Sequence, residues 1–198
     1  LHWVASERRV ALVEEGACGA HGRVRRVSSA ITHADPRCQW SCVVLNATIA
    51  GLLSGDDDPL GTALDVAEDA PTEVREAVTS IQNILSGDID PNTVDLQNSG
   101  YVVTTLQAGL YHGLTAETAE EAIIDAVMMG GDTDTIAAVA GAVAGARFGR
   151  EALPDRWLNE ITKTPELTEL SHSLVNETFG VFEEAQEMIR MGRLDLQL

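Results

Sequence analysis

Two carboxylates and a hydroxyl lie within four consecutive positions, directly after a pair of glycines. Residues 130–135 read GGDTDT. The glycine pair predicts a sharp turn between two helices, because glycine adopts backbone angles that other residues avoid. Asp132, Asp134 and Thr135 then stand at the start of the second helix, and hard oxygen donors of this kind suit Mg²⁺ or Mn²⁺ better than zinc. A metal site that includes these three side chains is one interpretation of the segment.

A helix cap is the alternative interpretation of the same acids. An aspartate at a helix start commonly accepts hydrogen bonds from the first N–H groups and is favoured by the positive helix end. A cap needs one acid, whereas this turn supplies Asp132, Asp134 and a threonine hydroxyl. On the residues alone, both interpretations stay open.

The elements that would position these side chains are predicted to be helices throughout. Apolar residues recur at helical spacing, and no segment alternates convincingly as a surface strand does. Thr72 and Thr115 are predicted as N-caps, and Gly113 as a helix end. Helices are predicted over residues 4–13, 37–53, 60–85 (one or two, divided at Pro71), 101–112, 115–129, 134–148, 157–161 and 167–192. At 198 residues, the chain is therefore expected to form a single all-α domain over residues 1–198.

The net charge of the chain limits the kinds of partner that it can bind. Acidic residues number 31 against 13 basic ones, which gives a formal net charge of −18. A surface with this much negative charge repels phosphate backbones and anionic lipid. We therefore expect no nucleic-acid partner and no membrane partner. The longest apolar run, residues 136–146, is too short to cross a bilayer. Acidic excess with Lys163 as the only lysine fits either a salt-adapted source or an ordinary acidic cytosolic protein.

Three cysteines make up a second set of residues that could bear chemistry. Cys18, Cys38 and Cys42 do not form a paired framework, which indicates a reducing compartment and a cytoplasmic protein. Together with His21 and His33 they could also bind zinc. Cys42 fits equally well as a small buried residue of a helix.

Three stretches, in the same order along the chain, resemble the ADP-ribosylglycohydrolase family, which includes the dinitrogenase reductase-activating glycohydrolases. The sequence GGDTDTIAAVAGAVAGARFG at residues 130–149 closely resembles the C-terminal signature of that family. SAITHADPRC at 29–38 is similar to its Thr-His-x-x-Pro segment, and SGYVVTTL at 99–106 to its Ser-Gly-Tyr-Val helix start. LPDRW at 153–157 also matches, so the resemblance covers about residues 25–160.

The resemblance implies a fold and a metal centre. The expected fold is a compact orthogonal multi-helix domain of the ADP-ribosylglycohydrolase type, all-α, built around a two-metal cluster of Mg²⁺ or Mn²⁺. Asp132, Asp134 and Thr135 match the family's metal ligands, with Asp134 as the expected bridge between the ions.

The resemblance also implies a ligand cleft and an activity. His33, Ser99, Gly100 and Tyr101 match positions that line the ADP-ribose cleft. Backbone amides at a helix start suit a pyrophosphate, and a tyrosine offers an aromatic face. The implied reaction is hydrolysis of the glycosidic bond linking ADP-ribose to a protein side chain or small molecule. The expected partner is an ADP-ribosylated protein or a small ADP-ribose conjugate, and the expected state is a monomer.

One part of the family pattern is missing from the sequence. The first half of the family normally brings a Gly-Asp segment, a Thr-Asp-Asp-Thr motif and a catalytic acid, and none of these is found. The acids at 56–58 lack the flanking threonines and are expected to form a solvated loop. The chain is therefore interpreted as a C-terminal portion of a longer enzyme, lacking its N-terminal part, or as a half-site, and its catalytic residue is unknown. The alternatives are a catalytically inactive ADP-ribose-binding homologue and a structural, crystallin-like one.

Overall fold

A computed structural model describes residues 28–173, and every regular element in that range is helical. The predicted all-α class is confirmed for these residues. The helices, numbered here in chain order, are α1 (Pro36–Ser54), α2 (Pro59–Val66), α3 (Thr72–Leu85), α4 (Val102–Thr115), α5 (Ala119–Met128), α6 (Thr133–Phe148) and α7 (Asp155–Leu158). Residues 164–173 are helical as well. The predicted helix at 4–13, and the part of 167–192 beyond 173, lie outside the described residues.

The first helices begin and end where local chemistry favours it. Asp35 caps α1, its side chain accepting a hydrogen bond from the N–H of Arg37, and Pro36 occupies the first turn. Gly55, at φ 76°, ends that helix in the left-handed conformation that glycine adopts freely. Helix α1 thus confirms the prediction for residues 37–53.

The region predicted as one or two helices around Pro71 forms two, α2 and α3. The prediction of Thr72 as a cap is wrong, because Thr72 is already the first helical residue. Pro71 holds the N-cap position, and no side chain makes a cap bond there.

Helix α4 runs past the predicted end at Gly113, and the reason is its packing against α6. A Cβ atom on Gly113 would stand 2.6 Å from Cβ of Val143, and one on Gly109 would stand 2.6 Å from Cβ of Val139. These glycines allow α6 to approach closely rather than ending the helix. Thr115 is the last residue of α4 and not the predicted cap, since Thr118 caps α5 by accepting from the N–H of Glu121.

Helix α6 is the element that ties the fold to the predicted site. It packs against α4, α5 and α1. Its buried side chains are small or branched, which leaves little space between the helices: Ile136, Ala140, Val143 and Ala144. The core continues through α1 to α4 with fully buried side chains such as Val43, Leu60, Val74, Ile81 and Leu110. Each such burial stabilises the fold by about 1.5–3 kcal/mol.

A boundary between two compact units falls between Leu153 and Pro154. Helix α7, in the second unit, begins earlier than the predicted segment 157–161, at Asp155, and covers only its first two residues because it ends at Leu158. The expectation of one domain over residues 1–198 stays a prediction. Within residues 28–173, no helix combines the length and apolar character that crossing a membrane requires.

Candidate functional site

The GGDTDT segment forms a tight turn between α5 and α6. Helix α5 ends at Met128, and α6 begins at Thr133. Gly130 and Gly131 both have positive φ, 74° and 67°. Two successive residues in this conformation reverse the chain over a very short distance, and a side chain at either would be strained. The predicted turn is confirmed.

The carboxylate of Asp132 is held by Thr135 and not by the helix backbone. Asp132 occupies the N-cap position of α6, yet its side chain makes no cap hydrogen bond. The hydroxyl of Thr135 instead donates to Oδ1 of Asp132 at 2.9 Å. The cap interpretation is therefore wrong for the side chain of Asp132, and two of the three predicted metal ligands are in direct contact.

Asp134 lies in the first turn of α6 with its side chain exposed. The positive helix end favours a carboxylate there. Among the residues that the structure describes, its carboxylate forms no hydrogen bond or ion pair. It is thus open to solvent beside the Asp132–Thr135 pair.

The segment before α4 lies directly against this turn. The N–H of Asp132 donates to the main-chain oxygen of Asn98 at 2.9 Å. Two residues further along, a Cβ atom on Gly100 would stand only 2.8 Å from Oδ2 of Asp132. The structure therefore brings the predicted Ser-Gly-Tyr segment and the predicted metal turn together, and the absence of a side chain at Gly100 allows it.

Gly100 also lines a cavity of about 520 Å³. Three of the four predicted ligand residues, His33, Gly100 and Tyr101, line it. His33 is exposed, with Nδ1 3.0 Å from the hydroxyl of Thr32. Tyr101 is 40% exposed, so it can take part in binding a ligand. Residues that stand 68 positions apart in the sequence thus share one cavity.

The fourth predicted ligand residue, Ser99, has a structural role at the start of α4. Its hydroxyl lies 3.0 Å from that of Thr104 and accepts from the N–H of Tyr101 at 3.4 Å. These contacts fix the first turn of the helix. Ser99 is not among the residues that line the cavity, and its role as a ligand residue stays a prediction.

Arg37 is a cavity residue that the sequence pattern alone did not single out. Its Nη1 donates to the hydroxyl of Tyr101 at 3.2 Å, and its guanidinium lies 5.6 Å from the centre of that ring. Its Nη2 pairs with Asp35 at 2.7 Å. Hydrogen bonds from the side chain and the backbone N–H of Arg37 lower the pKa of Asp35 to about 2. The hydrogen bond to Asp35 in turn raises the pKa of Arg37. The Asp-Pro-Arg sequence at a helix start was the available signal.

The zinc alternative gains no support in the described part of the chain. Cys38 and Cys42 are half-buried free thiols that line the same cavity as His33. Within residues 28–173, no group of three or more His, Cys, Asp or Glu side chains is placed to hold a metal ion. Cys18 and His21 lie outside the described residues.

The donor set at the turn fits one side of a hard-cation site. Asp132, Asp134 and Thr135 offer only oxygen atoms, the type that Mg²⁺ and Mn²⁺ prefer. The lack of a backbone cap bond leaves Oδ2 of Asp132 directed towards Gly100. A six-coordinate ion would draw its remaining ligands from water, from a bound ligand or from groups outside the described residues.

In the acidic loop at 56–58, the carboxylates of Asp56 and Asp58 accept hydrogen bonds from neighbouring groups of the fold. Asp58 caps α2 by accepting from the N–H of Gly61 at 3.0 Å and also accepts from the side chain of Gln82 at 2.9 Å. Asp56 accepts from the hydroxyl of Thr62 at 2.7 Å. This loop therefore serves the start of α2, and of its three acids Asp57 and Asp58 are exposed while Asp56 is half-buried.

Fold and turn together define the class of protein. An all-α chain in which an SGY segment lies on a GGDTDT turn agrees with the resemblance noted from the sequence, and a direct comparison confirms it. Residues 18–184 match the family model of the ADP-ribosylglycohydrolases, so the chain belongs to that family.

Individual relatives are similar over parts of the chain. ADP-ribosylarginine hydrolase Tri1 of Serratia proteamaculans is 28% identical over 147 residues, which is 74% of this chain and 38% of that protein. ADP-ribosyl-[dinitrogen reductase] glycohydrolase of Rhodospirillum rubrum is 38% identical over 65 residues, 33% of this chain and 22% of that protein. ADP-ribosylhydrolase ARH3 of Mus musculus is 40% identical over 60 residues, 30% and 16% respectively. The chain thus spans well under half the length of these three relatives.

Proposed function

We propose that this chain carries the metal-binding and ADP-ribose-binding side of an enzyme that hydrolyses the glycosidic bond between ADP-ribose and a protein side chain or small molecule. The observation that carries the proposal is the contact between the two predicted subsites. Gly100 lines the cavity with Tyr101, and it also lies against the carboxylate of Asp132. Membership of the ADP-ribosylglycohydrolase family supports the class of reaction.

The proposed metal ligands are Asp132, Asp134 and Thr135, which would hold Mg²⁺ or Mn²⁺. When bound, such ions supply Lewis-acid stabilisation of the oxygen atoms they hold. The contribution of the chain is to fix the carboxylates. The Thr135 hydroxyl orients Asp132 through Oδ1, and the positive end of α6 stabilises the negative charge of both acids.

The proposed ADP-ribose subsite is the cavity lined by His33, Gly100 and Tyr101. Its volume of about 520 Å³ lies in the usual range for small-molecule sites. Arg37 adds a positive charge suited to a pyrophosphate, and it orients the Tyr101 ring through the hydrogen bond to its hydroxyl. None of the described residues is assigned as the catalytic acid or base.

Calorimetric titration of the chain with ADP-ribose, with and without Mn²⁺ or Mg²⁺, tests the proposal. We expect binding of ADP-ribose that the metal strengthens. Asp134→Ala should abolish the metal effect, whereas Asp57→Ala, which removes another exposed acid from the loop before α2, should leave it unchanged. Absence of both metal and ADP-ribose binding in the unaltered chain would contradict the proposal.

Turnover is tested on conjugates of defined linkage. ADP-ribosylarginine comes first, since a relative that matches 74% of this chain is named an ADP-ribosylarginine hydrolase. Release of free ADP-ribose that stops in Asp134→Ala would support the enzyme function.

An inactive ADP-ribose-binding homologue is the second candidate function. One observation favours it: within the described residues, no group of three or more His, Cys, Asp or Glu side chains could hold a metal ion. This candidate predicts ADP-ribose binding without metal dependence and without turnover. A structural, crystallin-like role predicts neither binding nor turnover, so the same titration separates the three.

A further inference from the structure

We propose that Asn98 is a positioning residue that joins the metal-binding turn to the ADP-ribose cavity, so that occupation of one strengthens binding at the other. This inference rests on the proposed function. It concerns a residue outside both predicted ligand sets, and its support is a pair of hydrogen bonds from one residue to the two ends of the glycine turn.

The side chain of Asn98 bonds to the end of α5. Its Nδ2 donates to the main-chain oxygen of Met129 at 2.9 Å, across 31 positions of sequence. The last carbonyl groups of a helix have no partner within it, and the left-handed glycines that follow Met129 end the helix there. Asn98 supplies the donor that this carbonyl lacks.

The main chain of Asn98 bonds to the start of α6. Its carbonyl oxygen accepts from the N–H of Asp132 at 2.9 Å. Asn98 therefore contacts the residue before the glycine pair and the residue after it. The turn and the segment before α4 are held as one unit by these two bonds.

The fit around Asn98 leaves no space for a side chain at Gly131. A Cβ atom on Gly131 would stand 2.7 Å from Cγ of Asn98. The close approach of the two segments thus depends on Gly131 as well as on the two hydrogen bonds. A shift of the segment at residue 98 must move the turn, because the two backbones are in contact.

The same segment continues into the cavity. Gly100, two residues after Asn98, lies against Asp132, since a Cβ atom on it would stand 2.8 Å from Oδ2, and it also lines the cavity with Tyr101. A metal ion that fixes the Asp132 carboxylate thereby restricts Gly100 and the start of α4. A ligand that orders Tyr101 restricts the carboxylate in return, because coupling between two binding sites is reciprocal.

The chemistry of the asparagine side chain explains why this residue type suits the position. Aspartate has nearly the same shape but would direct a carboxylate oxygen towards the Met129 carbonyl, and it would add a negative charge beside Asp132. Alanine removes the donor without adding charge. Glutamine keeps the donor on a chain one methylene longer, so it should preserve part of the coupling.

The test is a binding cycle on the full 198-residue chain. The Mn²⁺ affinity is measured by calorimetry without and with saturating ADP-ribose, and the ratio of the two dissociation constants is the coupling factor. Couplings between sites are typically about 5–150-fold. We expect a factor in that range for the unaltered chain, a factor near one for Asn98→Ala and Asn98→Asp, and an intermediate factor for Asn98→Gln.

Asn92→Ala is the matched control. Asn92 is also exposed, and its side chain donates a hydrogen bond to Asp90, two residues away in the sequence, and not to the metal-binding turn. It should keep the full coupling factor. Thermal unfolding of each variant, followed by circular dichroism, checks that the fold is intact. We expect it to be, because exposed side chains such as Asn98 usually tolerate replacement.

The outcomes separate the two proposals. Full coupling in Asn98→Ala would overturn the positioning role while leaving the proposed function intact. A chain that binds both ligands with no coupling would also overturn it. If the unaltered chain binds neither Mn²⁺ nor ADP-ribose, both the proposed function and this inference are overturned.

Discussion

Gly100 lies against the carboxylate of Asp132, with the position of a Cβ atom on Gly100 only 2.8 Å from Oδ2. Gly100 does not have positive φ, so its lack of a side chain is needed for space and not for backbone conformation. The residue belongs at once to the wall of the cavity and to the surroundings of a predicted metal ligand. A single methyl group at this position tests whether the two subsites touch as the structure shows.

Gly100→Ala is therefore expected to weaken Mn²⁺ binding by about 10- to 100-fold, the usual effect of disturbing the surroundings of a metal ligand. The methyl group would displace Oδ2 of Asp132 from its place. The Mn²⁺ dissociation constant, measured by calorimetry, checks this. Gly145→Ala on α6 is the control, because a Cβ atom there meets nothing within 4 Å. Equal affinities in the two variants would contradict the contact.

Helices could be predicted from the sequence because their apolar spacing is a local property. Helix α1 begins at an Asp-Pro pair and ends at a glycine, and both signals are visible in the sequence. The predicted end of α4 at Gly113 is wrong because a glycine near a helix end has two possible roles. As a local signal it ends a helix, but in the fold it accommodates Val143 of α6, and only the tertiary packing distinguishes the two.

The candidate site was predictable to the extent that one segment carries its residues. Asp132 and Thr135 lie one helical turn apart, so their contact follows from their spacing. Asn98 was not predictable, because its partners Met129 and Asp132 are distant in sequence and its role depends on how two loops meet. The same holds for Arg37, whose contact with Tyr101 spans 64 positions.

Gly113→Ala tests the close packing of α4 on α6. The added methyl group would overlap Val143, and we expect the free energy of unfolding to fall by about 1–3 kcal/mol, as overpacking usually costs. Urea denaturation measures the change. In the control, Gly145→Ala should raise stability by about 0.5–1 kcal/mol, because alanine favours a helix and has space there.

A double variant makes this prediction specific. Val143→Ala removes Cγ1, one of the two Val143 atoms that a methyl group at position 113 would meet within 3 Å, and keeps the other, Cβ. Gly113→Ala combined with Val143→Ala should therefore lose less stability than the sum of the two single changes. Strict additivity would show that the strain lies elsewhere.

Arg37→Gln tests the role of the charged pair beside the cavity. Without the guanidinium, the pKa of Asp35 should rise from about 2 towards its ordinary value of 3.8, because hydrogen bonds from the Arg37 side chain are the main cause of its lowering. An NMR titration of the Asp35 carboxyl group measures this shift. The variant also loses the hydrogen bond to Tyr101, and ADP-ribose should bind about tenfold more weakly, in line with the loss of one charged hydrogen bond.

Arg75→Gln is the control for Arg37→Gln. Arg75 is exposed on α3 and lines a different cavity, so the variant carries the same change of charge away from the site. Its ADP-ribose affinity should equal that of the unaltered chain. If both variants weaken binding alike, the effect is one of overall charge and Arg37 has no specific role.

The imidazole of His112 is expected to make the stability of the fold depend on pH. It lines a cavity beside α5, and its Nε2 is buried without a hydrogen-bond partner among the described residues. Burial lowers the pKa of His112 below 6.5, and the nearby carboxylate of Asp125 opposes that effect only in part. Glu121 also lines the cavity, while Arg147 donates to the carbonyl groups of Gly113 and Ala116 at the end of α4.

The sign of the effect follows from the direction of the shift. Above pH 6.5, His112 is neutral in the folded and unfolded chains, and the folded state keeps its full stability. As the pH falls below 6.5, the unfolded chain takes up a proton first, so the free energy of unfolding decreases until the lower folded-state pKa is passed. Urea denaturation at pH 7.5 and 5.5 should therefore show a loss of stability that His112→Gln reduces. The exposed His172, changed to Gln in the same way, serves as the control and should leave the loss unchanged; equal pH dependence in the two variants would exclude His112 as its source.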